Sequence, residues 1–133
     1  MNQYNQLNPN YCLEREKWTK SKLCRIMDKT EKARDRIDER VKKGEISDVK
    51  GEIMKTIHME FMCIAQSGIF LNGKGDIQGA SVLMSDALRC KNKMYSMLTY
   101  SIGSMTKKDI DYFVKRAERI YELGLKNTRM YLS

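Results

Sequence analysis

The chain has 133 residues, a net charge of +8 and a sequence pI of about 9.4. One domain of this size buries roughly two-thirds of its unfolded surface without disulfides or metal, and no window approaches the ~18 uninterrupted apolar residues of a membrane span. Apolar residues make up 41% and charged residues 32%, β-branched runs are few, and Pro9 is the single proline, a helical balance rather than a strand-rich one.

Residues 1–10 are polar and rich in Asn and Gln, and read as a flexible arm. From Tyr11 nothing breaks a helix until Gly44, and the first helix is expected over about Tyr11 to Lys43. Leu23, Ile26, Met27, Thr30, Ala33, Ile37 and Val41 form its apolar stripe. Beside that stripe Arg15, Lys22, Lys29, Arg36 and Lys43 recur every seven residues, on the flank where paired helices place the charges that choose a partner. Glu14, Asp28 and Asp35 precede members of this ridge, and Glu31, Asp38 and Glu45 follow them, so the ridge serves equally as a solvated face with local ion pairs.

Ser47 is the expected N-cap of a second helix that runs to about Leu71, with Val49, Ile53, Met54, Ile57, Phe61, Ile64, Ala65 and Gly68 facing inward. Asn72-Gly73-Lys74-Gly75 breaks it and Asp76 starts a third helix reaching about Ile102. Gly68, Ala80 and Ala87 are the small residues at which this hairpin closes, and Leu71, Leu83, Met84 and Leu88 fill its seam. Gly103-Ser104 ends the third helix, and Thr106 with Asp109 resembles a capping box. The fourth helix carries Ile110, Phe113, Val114, Ala117, Ile120, Tyr121 and Leu123, with Gly124 expected as its C-terminal residue or cap and the last nine residues either extending it or fraying. Residues 1–133 thus read as one all-α domain, an antiparallel up-down bundle of about four helices with a long charged first helix and a core over 61–125.

Catalytic chemistry has little to stand on. His58 is the single histidine, and His58-Met59-Glu60 has the spacing zinc deaminases use, but the Pro-Cys-x-x-Cys helix they require is absent. Gly73-Lys74-Gly75 is a helix-to-helix turn with no phosphate-binding loop around it. Cys12, Cys24, Cys63 and Cys90 form no Cys-x-x-Cys pair and read as reduced thiols acting as small core hydrophobes, with two disulfides or a gathered zinc site as alternatives. Ten methionines fill irregular core gaps or form an adaptable partner surface. Tyr95, Tyr100, Tyr112 and Tyr121 lie near several lysines and serve either as bundle-edge residues or as base-stacking platforms. The chain is expected to be non-enzymatic, with no catalytic residue, metal or small-molecule cofactor. With no basic-then-apolar leader at its start, it is expected in the cytosol or nucleus.

Residues 61–125 resemble two helical families. Gly68, Ala80 and Ala87, with Gly75-Asp76 at the turn, resemble a tetratricopeptide hairpin, although Ile64 and Met84 stand where that repeat has aromatics. Ala80-Ser81-Val82-Leu83-Met84-Ser85-Asp86-Ala87 and Phe113-Val114-Lys115-Arg116-Ala117-Glu118-Arg119-Ile120 resemble the second and third helices of the microtubule-interacting and trafficking (MIT) domain. That resemblance implies a groove for a short amphipathic partner peptide, between the third and fourth helices near Met84, Leu88, Lys91, Ala117 and Tyr121. The long charged first helix is not part of that family's plan.

Two functions follow. One is an interaction module or adaptor that binds a partner protein, or a second copy of itself, through grooves between helices. The other is a small basic nucleic-acid-binding protein that uses the Arg/Lys ridge of the first helix. The interleaved acids weigh against the second, since they lie within a Debye length of roughly 8–10 Å.

Overall fold

A computed structural model describes the backbone of residues 9–132 and the side chains of residues 20–129. It is all-α, with four long helices: α1 (Pro9–Lys42), α2 (Asp48–Ile69), α3 (Ile77–Tyr100) and α4 (Lys107–Leu132). The helix ends are set where the sequence supplies capping chemistry. α1 closes on Gly44 at φ 75°, with Gly44 N donating to Val41 O (3.0 Å) and Glu45 N to Arg40 O (2.9 Å), the paired bonds of a Schellman motif. Ser47 Oγ accepts from Lys50 N at 3.2 Å, Asp76 Oδ1 from Gly79 N at 2.8 Å, and Thr106 Oγ1 from Asp109 N at 3.1 Å. Each satisfies one of the orphan donors at a helix start.

α1 begins at Pro9, so Pro9 and Asn10 belong to it rather than to the polar arm, whose residues 1–8 lie outside those described, and two later boundaries also differ from expectation. The Asn72-Gly73 segment does not break α2 but winds on from it as a π-helical turn, Phe70–Lys74, which ends at Gly75 in the left-handed region (φ 65°). Gly124 does not end α4, which continues to Leu132. Gly124 is buried, and a Cβ there would lie 2.9 Å from Ile64 Cγ2 and 3.1 Å from Met84 Cε. Its bare backbone lets α4 press onto α2 and α3, so close approach rather than termination explains this glycine.

α2 is the hub, packing against each of the other three helices, whereas α1 and α4 have no extensive contact with each other. α2, α3 and α4 enclose two connected layers of core. One holds Ile53, Ile57, Met94, Leu98, Phe113 and Ala117, and the other holds Cys63, Ile64, Met84 and Ala87 with Ile120, Tyr121 and Leu125 against them. In the α2–α3 hairpin Ala80 and Ala87 are buried as expected, and Ser67 Oγ donates to Ala80 O at 3.1 Å across the seam. A Cβ added at Gly68 would meet nothing within 4 Å, so Ser67, not Gly68, makes the close contact across the seam.

The long first helix packs along α2 and its π-helical turn. Thr30, Ala33 and Ile37 are buried beneath it, and Lys55 on α2 pairs with Asp38 at 2.8 Å and with Glu52 at 2.9 Å. A salt bridge of 3.2 Å between Lys50 and Asp109 links α2 to α4. Such partly exposed pairs contribute at most about 1 kcal/mol each, so the α1–α2 contact depends on packing. Gly51 lies within that contact: a Cβ there would lie 2.5 Å from Val41 Cγ2. Gly51→Ala should therefore lower stability by about 1 kcal/mol, since overpacking costs roughly 1–3 kcal/mol and the better helix former returns about 1. Thermal unfolding followed by circular dichroism checks this, and a raised Tm would mean that α1 rests loosely on α2.

Candidate interaction cleft

Because α1 and α4 flank α2 without meeting, a cleft opens between them with α2 as its floor. Its cavity is about 250 Å³. α1 contributes Lys29, Thr30, Ala33 and Arg36, which share one helix face at three- and four-residue spacing. α2 contributes Ile57, His58 and Phe61, and α4 contributes Arg116 and Ile120. The floor is apolar and the walls are cationic, and no carboxylate is among the lining side chains. Phe61, expected inward, is 52% exposed here. α2 has neighbours on three sides but the α1–α4 gap leaves this part of its circumference uncovered.

His58 is half-buried, and its pKa is lowered from the ordinary histidine value, first by burial and then by the Arg116 and Arg36 charges. The imidazole is therefore neutral at pH 7 beside fixed cations. On this helix His58 and Glu60 turn their side chains roughly 200° apart. His58 lines the cleft, while Glu60 is fully buried.

Glu60, weighed in the sequence for its spacing from His58, is a core residue instead. Ile53, Ile57, Glu60, Ile64, Ser67 and Leu71 alternate at three and four residues, and all six are buried. That series was the available signal, since a carboxylate occupied a core position within it. Neither carboxylate oxygen has a hydrogen-bond partner. Burial pushes its pKa up to about 8, with the Lys91 charge pulling the other way. Arg116 was passed over as a site residue. It sits one position before the buried Ala117, on the flank of the α4 stripe that borders the cleft.

The residues expected to line an α3–α4 groove have divided. Met84 and Ala117 are buried in the two core layers, whereas Leu88 is 40% exposed. Lys91 lays its ammonium 4.8 Å from the centre of the Tyr121 ring and 5.8 Å from that of Tyr95, and Tyr95 OH donates to Glu118 Oε1 at 2.9 Å. The α3–α4 seam is thus filled at Met84 and Ala117 and bridged by these cation–π and hydrogen-bond contacts.

The heptad ridge divides too. Lys29 and Arg36 line the cleft, Lys22 is half-buried, and exposed Lys43 pairs with Glu39 at 3.6 Å. The side chain of Arg15 lies outside the described residues, as does that of Cys12. Cys24, Cys63 and Cys90 are free thiols. Cys63 is buried as a core hydrophobe and its pKa is pushed up to about 11, chiefly by burial, but Cys24 is exposed and does not act as one. Of the four tyrosines near lysines, Tyr95 and Tyr121 are engaged by Lys91, and Tyr112 borders a shallow depression with Lys107, Lys108 and Lys115. None lines the α1–α4 cleft.

Among the described residues no group of three or more His, Cys, Asp or Glu is placed to hold a metal ion, and no helix is long and apolar enough to cross a membrane. Comparison with protein-family models, with curated proteins and with solved structures gives no match.

Proposed function

We propose that this chain is a non-enzymatic protein-interaction module or adaptor whose partner docks in the α1–α4 cleft. The observation that carries this reading is the exposed Phe61 ring beside Ile57 and Ile120 on an otherwise open floor. A cavity of about 250 Å³ falls below the roughly 300–1,000 Å³ of small-molecule and cofactor sites. It suits a few anchoring side chains of a larger partner, which is how a helix seats in a groove. The MIT resemblance also implies recognition of a short amphipathic peptide, although by a different pair of helices.

A second reading, nucleic-acid binding, is favoured by the convergence of Lys29, Arg36 and Arg116 on one cleft. Against it, sequence-tolerant binding of single strands uses successive aromatic platforms along a basic track, and Phe61 is alone among aliphatic neighbours.

The test is selection of displayed random peptides against the wild-type protein and Phe61→Asp, alongside anisotropy of a labelled random oligonucleotide from about 50 to 300 mM salt. The expected result is enrichment of amphipathic sequences by the wild type, lost with Phe61→Asp while circular dichroism is unchanged. Steep salt-dependent oligonucleotide binding, abolished by Lys22→Glu, Lys29→Glu and Arg36→Glu together and unaccompanied by peptide enrichment, would replace this reading with the second.

A further inference from the structure

The cleft also carries information about what kind of partner it accepts. Three fixed cations converge there from two helices that do not otherwise meet: Lys29 and Arg36 from α1, and Arg116 from α4. At two other helix contacts the cation has carboxylate partners: Lys55 has Asp38 and Glu52, and Lys50 has Asp109. In the cleft the lining side chains include none. Like charges gathered at one cleft repel one another, moderately, because all three side chains are exposed to solvent. An arriving anion relieves it. The apolar surface offered among these cations is the exposed Phe61 ring with half-buried Ile120, above the buried Ile57, so the complement has an apolar ridge flanked by acids.

We infer that the α1–α4 cleft receives the apolar, acid-flanked face of an amphipathic helix from a partner protein, its flanking carboxylates seated among Lys29, Arg36 and Arg116, and that His58 takes up a proton as the helix docks. This inference rests on the interaction-module reading and adds the partner's charge and a proton to it.

The proton follows from what faces His58. From α1 it meets Arg36, with Lys29 in the same cleft, and from α4 it meets Arg116; Glu60 on its own helix is buried away from the cleft. With an empty cleft, burial and these cations favour the neutral ring. A carboxylate within about 4–6 Å reverses the local field and favours the imidazolium. The complex then binds a proton the free protein lacks, so affinity rises as pH falls through the bound-state pKa. It levels off below the free-state pKa, which lies under the ordinary histidine value.

The experiment uses the full chain and two labelled helical peptides of about 18 residues. Both carry leucines on one face; one has glutamates on its flanks and the other has glutamines there. Binding by anisotropy at about 50 mM salt should be tenfold or more tighter for the glutamate peptide, a preference equivalent to about 1.4 kcal/mol. Arg36→Gln with Arg116→Gln should erase the preference while circular dichroism stays unchanged. Affinity for the glutamate peptide should increase about threefold or more from pH 8 to pH 6, and His58→Gln should flatten that slope.

Equal affinity for the two peptides would overturn the charge complementarity while leaving the interaction-module reading intact, because peptide selection against Phe61→Asp tests that reading separately. No binding of either peptide at about 100 μM, a free energy weaker than roughly −5.5 kcal/mol, would overturn the inference outright. So would displacement of the glutamate peptide by an oligonucleotide that shows the same Arg36 and Arg116 dependence.

Discussion

Replacing Glu60 with methionine should raise the free energy of unfolding by several kcal/mol at pH 8 and by much less at pH 4. Glu60 is fully buried in the α2 series that faces α3 and α4, and neither oxygen has a hydrogen-bond partner. Its pKa stands at about 8 in the folded protein, against 4.5 for an unperturbed glutamate. Between those two values the unfolded chain has released a proton that the folded chain still holds. Stability therefore falls as pH rises through that window, by up to 1.36 kcal/mol per pH unit, and levels off above about pH 8. Over the whole window the loss is about 3 to 5 kcal/mol, a large share of the roughly 5–15 kcal/mol that holds a domain folded. Methionine matches the volume and does not titrate, so its advantage should grow across the same window. A smaller gain remains at pH 4, where a protonated but unpartnered carboxyl still costs about 1–3 kcal/mol. Urea unfolding at a series of pH values measures both curves. Parallel curves for wild type and variant would mean that Glu60 is ionised in the fold, held by Lys91 whose charge draws its pKa down.

The second large effect is at Ala117. Ala117 has no exposed surface and packs with Ile53, Ile57, Met94, Leu98 and Phe113. Ala117→Arg would drive a guanidinium into a layer whose other members are all apolar, at a cost of several kcal/mol. The variant should lose its cooperative thermal transition. Leu88→Asp, on the exposed flank of α3, should keep a Tm within a few degrees of the wild type, since surface changes usually stay within about 0.5 kcal/mol. An Ala117→Arg protein that melts cooperatively near the wild-type temperature would show that the α3–α4 seam can open at this point.

How far the sequence revealed this molecule depends on what each residue answers to. Ser47, Asp76, Thr106 and Gly44 act within a turn of the backbone, so their capping roles can be read locally, and all four are found in those roles. Gly124 and Gly68 answer to neighbouring helices, and composition alone does not tell a helix-ending glycine from one pressed against Ile64 and Met84. Periodicity placed Phe61 in a stripe but does not say which sector of α2 lacks a neighbour. That sector is set by α1 and α4 standing apart, a property of three helices together. The same holds for the cleft: Lys29 and Arg36 were visible as a ridge, whereas Arg116 joined them only through tertiary structure.

One property of the fold sets a limit on recognition. α1 makes its extensive contacts with α2 and the π-helical turn, so the layers enclosed by α2, α3 and α4 hold together without it. The cleft exists only while α1 is seated, because one of its walls is α1 itself. Its availability is thus a population, and apparent affinity for any occupant is the intrinsic value scaled by the seated fraction. Val41, Ile37 and Gly51, which touch no occupant and fix how firmly α1 sits, then tune recognition from outside the site.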